Sequence, residues 1–440
     1  MPHSPLLPAN PDVVIIGAGA AGIGAGLALT RLGIPFIILE AKDRTGGRAF
    51  SDTASIGHLW DQGAHWFHAA ERNPLRMIAE RIGHPFEARQ EEWSTRWVVD
   101  GRTLSAAEQA DGSSAMAAAM EASDQAGLAG RDISQAEAAG GLPEPFGPFT
   151  RFVFEAIGSG RAEDMSAVDV ARYDGGEGDF PVSGGYGTLI AKLGADLPVR
   201  LNCTVQAITP ASGGLSVATT AGTLRTRAVI LTVSNNVLLA GHIRIEPGLP
   251  ADLRSAIEQL PCGDCEKIAV ELTGDDLSAA AGEKLLVQHG GDVFSLHVQP
   301  YGRPIATAYI AGDHARRAGG LSVPDAGALL SDVLAGVYGS KIRNGLGRSA
   351  MTGWSRDPHI LGAYSYARAG QAAARPLLMA ADLAPLFLAG EAHLLDWYST
   401  AHGAHISGTQ TAHKVARFLG YAPPAADPLW LPQGLEAGAR

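Results

Sequence analysis

Cysteine is scarce in this chain of 440 residues: Cys203, Cys262 and Cys265 are all it has. Three thiols cannot build a disulfide framework, and they point to a reducing, cytoplasmic location. No run of eighteen apolar residues occurs, so no transmembrane helix is expected. Met1 to Asn10 has neither a basic start nor an apolar stretch, so no leader peptide is expected there. Cationic charge is also short, with 34 Lys and Arg against 45 Asp and Glu and a net charge of −11. That balance disfavours nucleic acid and anionic membranes as partners, and favours solubility or cationic ligands. Charged residues make up only 18% against 46% hydrophobic, which excludes a disordered chain. The length calls for two or three domains, and no internal repeat is found.

Glycine is plentiful, at 55 residues, and near the start its spacing carries meaning. Val13 to Ile16 is a short apolar, β-branched run, the mark of a buried parallel strand. Gly17, Gly19 and Gly22 follow at the G-x-G-x-x-G spacing, with Ala20 and Ala21 inside it. Gly17 permits the tight turn, Gly19 lets the backbone approach a pyrophosphate, and Gly22 lets helix pack on strand. The helix start offers unpaired N–H groups to phosphates. Phe36 to Leu39 reads as a second strand, ending in Glu40 and Ala41. The Glu40 carboxylate lies where ribose hydroxyls are held. This strand–turn–helix–strand–acid order predicts dinucleotide binding. Arg44, Gly46, Gly47 and Arg48 then form Arg-x-Gly-Gly-Arg, a second glycine turn whose guanidinium forks suit phosphate oxygens.

The two motifs together resemble the flavin-containing amine oxidase family, which implies FAD rather than NAD. The resemblance continues at Asp61-Gln-Gly-Ala-His-Trp-Phe-His68. It implies that Gly63, Ala64, His65 and Trp66 lie beside the flavin, and that Trp66 and His68 face the substrate amine. A histidine alone reads more simply as structural. Ala69-Ala70-Glu71 departs from the family, whose members carry glycine there. Val205 matches a position whose backbone holds adenine, Gly390 and Glu391 a strand end that binds the ribityl–phosphate region, and Trp354 a wall under the flavin ring. Lys267 matches the lysine that holds a water against flavin N5, although residue type alone suggests an exposed strand lysine. Trp397-Tyr-Ser-Thr-Ala-His-Gly-Ala-His-Ile-Ser-Gly408 is similar to the spermine oxidase version of its segment. Tyr398, Ser399 and Thr400 would then border a substrate tunnel, with Thr400 and Ala401 also at the cofactor. Helix capping is the plainer role for those hydroxyls. Monoamine-type members carry a cysteine near Ala363 that bonds the flavin; none is present, so the FAD is expected to be non-covalent.

The expected architecture is α/β: a discontinuous Rossmann-type FAD-binding domain (1–90, 180–245 and 380–440) with an inserted substrate domain of mixed sheet and helices (91–179 and 246–379). The resemblance implies oxidation of an amine, with a polyamine weakly favoured. Hydride passes to flavin N5, the imine is hydrolysed, and dioxygen reoxidises the flavin to give hydrogen peroxide. An FAD-dependent desaturase or porphyrinogen-type oxidase on the same scaffold is the alternative, and a non-catalytic FAD-binding protein a further one. A monomer or homodimer is expected. No metal site is expected, and Cys262-Gly-Asp-Cys265 reads as inert thiols. Along the rest of the chain, helices are expected over Leu75 to Arg81, Ala106 to Ala139, Phe152 to Ile157, Leu249 to Leu260 and Asp325 to Tyr338. A hairpin is expected from Trp93, one long strand from Val199 to Ile208, and a surface tail from Ala422.

Overall fold

The computed structural model describes residues 11–90, 94, 96–431 and 435. The expectations for Met1 to Asn10, for Trp93 and for most of the tail after Leu431 lie outside the described residues. A five-stranded parallel sheet runs in the order Leu386–Leu388, Ala228–Leu231, Val13–Ile16, Phe36–Leu39, Val199–Arg200. Its central strand is buried at every residue, because successive side chains enter opposite cores. Val13 and Ile15 pack into the larger core with helix Ala20–Arg31. Val14 and Ile16 pack against Val205, Ile208 and Val217 of a four-stranded sheet. That sheet is ordered Gly222–Thr226, Gly214–Thr219, Val205–Ala211, Arg244–Ile245.

The long strand expected from Val199 to Ile208 is two strands in two sheets. Asn202, at φ 53°, turns the chain between them, a conformation that asparagine tolerates better than most residues. Its N–H donates to Lys42 O and that of Cys203 to Glu40 O, both at 2.9 Å. The break thus ties the second sheet to the acidic end of strand Phe36–Leu39.

A seven-stranded sheet carries the other half, ordered Leu346–Met351, Cys265–Leu272, Ile305–Ala311, Asp292–Val298, Lys284–His289, Arg96–Val99, Arg102–Thr103. Helix Val323–Tyr338 seals one face through Ala326, Leu330, Val333 and Leu334. Helices Ala106–Leu128 and Gly147–Gly158 flank this sheet; Phe149, Phe152 and Val153 pack on Trp97 and Leu286.

Helix Ala401–Phe418 crosses helix Ala20–Arg31 at glycine-width separation. A Cβ on Gly24 would lie 2.4 Å from His405 O, and one on Gly408 would lie 1.9 Å from Ala21 O. Only glycine allows that approach, and it brings the start of the last helix beside the first glycine turn.

Candidate active site

A cavity of about 950 Å³ runs from the C-terminal ends of the parallel strands into the seven-stranded sheet and its helices. Every site residue named from the sequence lines it except Gly22 and Arg44. Gly22 lies beneath the turn, where a Cβ would stand 1.9 Å from Gly17 O. Gly17, at φ 102°, leaves room for the Thr232 hydroxyl, 2.5 Å from where its Cβ would be. The second glycine turn stacks on the first: Gly46 N–H donates to Ala18 O at 2.9 Å. Helix Ala20–Arg31 begins at Gly19 with no side-chain cap, so its first amides are open to an anion. Glu40 accepts from the amides of Ala18 at 2.7 Å and Lys42 at 2.9 Å, which fixes its carboxylate at the turn.

The two arginines of Arg-x-Gly-Gly-Arg are committed to protein partners. Arg44 donates to Thr45 O and Gly47 O and stacks over Phe50. Arg48 donates to Ala363 O at 2.6 Å and pairs with Glu391 at 3.0 Å. Arg44 therefore shapes the cradle from outside it, whereas Arg48, bonded through Nη1, also lines the cavity. Glu391 also accepts from the Ser365 hydroxyl at 2.7 Å and the Ser399 amide at 3.2 Å. Burial works to raise the Glu391 carboxyl, but Arg48, Ser365 and Arg375 outweigh it and hold it below the ordinary value.

Beyond Ser365 lies a pair that sequence reasoning missed. Arg375 donates to Ser365 Oγ and grips Asp169 with two bonds, at 2.9 and 2.7 Å. The pair is almost wholly buried, at 0% and 2% side-chain exposure. Tyr398 lies over the Arg375 guanidinium, and its hydroxyl donates to Asp169 O. Thr400 caps the last helix, accepting from Gly403 N–H and donating to Trp397 O, and Ser399 donates to Ser365 O. All three line the cavity with their hydroxyls already engaged inside the protein.

Lys267 enters from strand Cys265–Leu272. Its ammonium donates to Asp61 O at 2.9 Å and Gly63 O at 2.7 Å, and meets His65 Nδ1 at 3.0 Å. Burial pushes it down to about 8, against the pull of the Asp61 carboxylate. Trp354 donates to Gln62 O, fixing its indole on the same segment, and the buried Glu266 receives the amides of Trp354 and Ser355. His68 meets Asp179 at 2.8 Å, with Trp66 edge-on to it. Asp179, Tyr173, His297 and His402 line this end as well; His402 belongs to the Trp397–Gly408 motif, and no sequence motif announced the other three. Cys262 lies near Arg48 and Glu391, and Cys265 near Tyr364 and Glu155 O. Burial raises the two thiols to about 11 and 12, so neither is a ready thiolate at neutral pH.

Stacked glycine turns, an uncapped helix start, an acid at the second strand and a long cavity suit an extended dinucleotide. Fold and site together define a nucleotide-dependent redox protein of the flavoprotein kind. The model for flavin containing amine oxidoreductases matches residues 20–416; the chain belongs to that family, and FAD is its cofactor. It is 25% identical to lysine-specific histone demethylase 1 homolog 2 of Arabidopsis thaliana, over 96% of this chain and 60% of that one. It is 27% identical to polyamine oxidase 4 of Oryza sativa subsp. japonica, over 91% and 88%. The chain spans little more than half the length of the demethylases it matches. The solved cyclohexylamine oxidase from Brevibacterium oxydans IH-35A shares the fold, with a TM-score of 0.79 at 19% identity over 93% of this chain and 99% of that one.

Because a Cβ on Gly22 would strike Gly17 O, Gly22→Ala must displace the phosphate turn. Flavin retention is expected to fall about tenfold or more, read as flavin-to-protein absorbance after purification. Full flavin content in that variant would remove the turn from the cofactor site.

Proposed function

We propose that this protein oxidises an amine at the ring end of the cavity and passes the electrons on to dioxygen, giving hydrogen peroxide. FAD, held non-covalently, supplies the two-electron acceptor. The observation that carries this reading is the Lys267 ammonium, fixed on Asp61 O and Gly63 O in the cavity that also holds the His68–Asp179 pair. An amine gives up hydride only with its nitrogen lone pair free, so a substrate ammonium must first lose a proton. Asp179 engages His68 at Nδ1 and orients the ring, which leaves Nε2 to accept that proton. Trp66 and Trp354 supply aromatic walls that position the carbon beside nitrogen. Water then hydrolyses the imine. Relatives named for polyamine and cyclohexylamine support an amine as substrate.

In anaerobic protein, a suitable amine is expected to bleach the flavin, and air to restore the colour with release of peroxide. His68→Ala is expected to slow the bleaching about 100-fold near neutral pH, the usual scale for losing a general base. Amine-independent behaviour with a silent His68→Ala would favour a desaturase or porphyrinogen-type oxidase instead.

A further inference from the structure

We infer that the amine processed at this site carries an uncharged, largely apolar tail, and that a second cationic nitrogen is selected against. The inference rests on the proposed amine oxidation and concerns the far arm of the same cavity. That arm enters the helical layer between Met116 and Met120 on one helix and Val153 and Ile157 on another, against Trp97 and Leu286 of the sheet. The hydroxyls of Tyr309 and Tyr364 bond each other at 2.8 Å, and Tyr364 donates to Ala156 O. Their ring faces are thus what the arm offers.

Charge decides the class. Four carboxylates line the cavity among the described residues: Glu40, Asp61, Asp179 and Glu391. Glu40 is held by amides at the glycine turn. Asp61 accepts from Ser51 and the amides of Tyr186 and Gly187, and Glu391 is paired with Arg48. At the substrate end Asp61 faces Lys267, and Asp179 is already engaged with His68. Two cations face them: Lys267 and Arg303 line the cavity. Among the described residues, a tail ammonium in this arm would be desolvated with no unengaged carboxylate to meet it, a costly placement.

Among the described residues, the arm's unpartnered buried acceptor is neutral. Gln135 is 5% exposed, and its Oε1 has no hydrogen-bond partner. A carboxamide can accept from a tail hydroxyl or amide; alone it cannot neutralise an ammonium. The arm therefore fits an alkyl or arylalkyl monoamine, with room for one neutral donor at its end.

Hexylamine and 1,6-diaminohexane have the same length and differ in the terminal charge. Each is titrated into FAD-loaded, anaerobic protein, read both by calorimetry and by bleaching rate. Hexylamine is expected to bind at least about tenfold more tightly and to bleach faster; equal or better performance by the diamine overturns the inference. If neither amine bleaches, amine oxidation fails, while the binding ratio still decides the arm. Gln135→Glu is expected to move the ratio toward the diamine by about tenfold or more. An unchanged ratio in a folded, flavin-loaded variant would also count against it.

Discussion

Lys267→Met is expected to slow the return of flavin absorbance in air by about 100-fold, the scale for removing one preorganised charge or donor from a dry site. An ammonium has three N–H groups; Asp61 O and Gly63 O take two of them, and His65 Nδ1 lies 3.0 Å from the nitrogen. Lys267 therefore brings its charge to the cavity wall with its position fixed by two carbonyls. A positive charge fixed in a low-dielectric wall stabilises negative charge arriving on dioxygen. Methionine keeps the apolar stem and removes the charge; Lys267→Arg keeps the charge and is expected to retain more of the rate. The pH dependence has a definite sign. Burial lowers the Lys267 value to about 8, so the ammonium is present below that and lost above it. The two carbonyls favour the charged form, so reoxidation is expected to be fast at low pH and to fall with an inflection at 8 or somewhat higher. Stopped-flow mixing of reduced protein with oxygen measures both. An unchanged rate in Lys267→Met, or a pH profile identical to wild type, would remove the lysine from the reaction.

What was legible in the sequence was what local geometry dictates. Gly17 and Gly22 are needed within a single turn, and the strand, helix and acid around them lie within thirty residues of chain. The inner sheet strands Val13–Ile16 and Phe36–Leu39 announced themselves by apolar runs. Where a short polar residue could bend the chain, periodicity misled: Val199 to Ile208 reads as one strand, yet Asn202 sends its halves to different sheets. The active site is a further step removed. Lys267 and Asp61 meet across 206 positions, and only the likeness to a family pointed to that lysine. Asp179, Gln135 and Arg375 carry no motif. Each is a common polar residue whose role exists only once distant elements close around it.

Removing one member of the Asp169–Arg375 pair is expected to destabilise the protein by about 3–5 kcal/mol, the usual cost of leaving a buried charge unmatched. Four charges alternate from the cofactor cradle inward: Arg48, Glu391, Arg375 and Asp169, with Ser365 bridging the middle two. The row is neutral as a whole. Asp169→Asn preserves shape but leaves the row one positive charge in excess. Arg375→Met leaves the Asp169 carboxylate its bond from the Ala367 amide but no paired cation. Each single variant is expected to lower the apparent Tm by about 3–5 °C, at matched scan rate and flavin load. Arg375 also supports Ser365 and, through it, Glu391, so Arg375→Met is expected to lose flavin more readily than Asp169→Asn. The double variant Asp169→Leu with Arg375→Met removes both charges together and fills part of the space with apolar atoms. Replacing a whole buried pair this way is often close to neutral, so the double variant should be clearly more stable than the two single losses added. Strictly additive losses in that cycle would mean that packing around Tyr398, and not charge balance, is what this pair contributes.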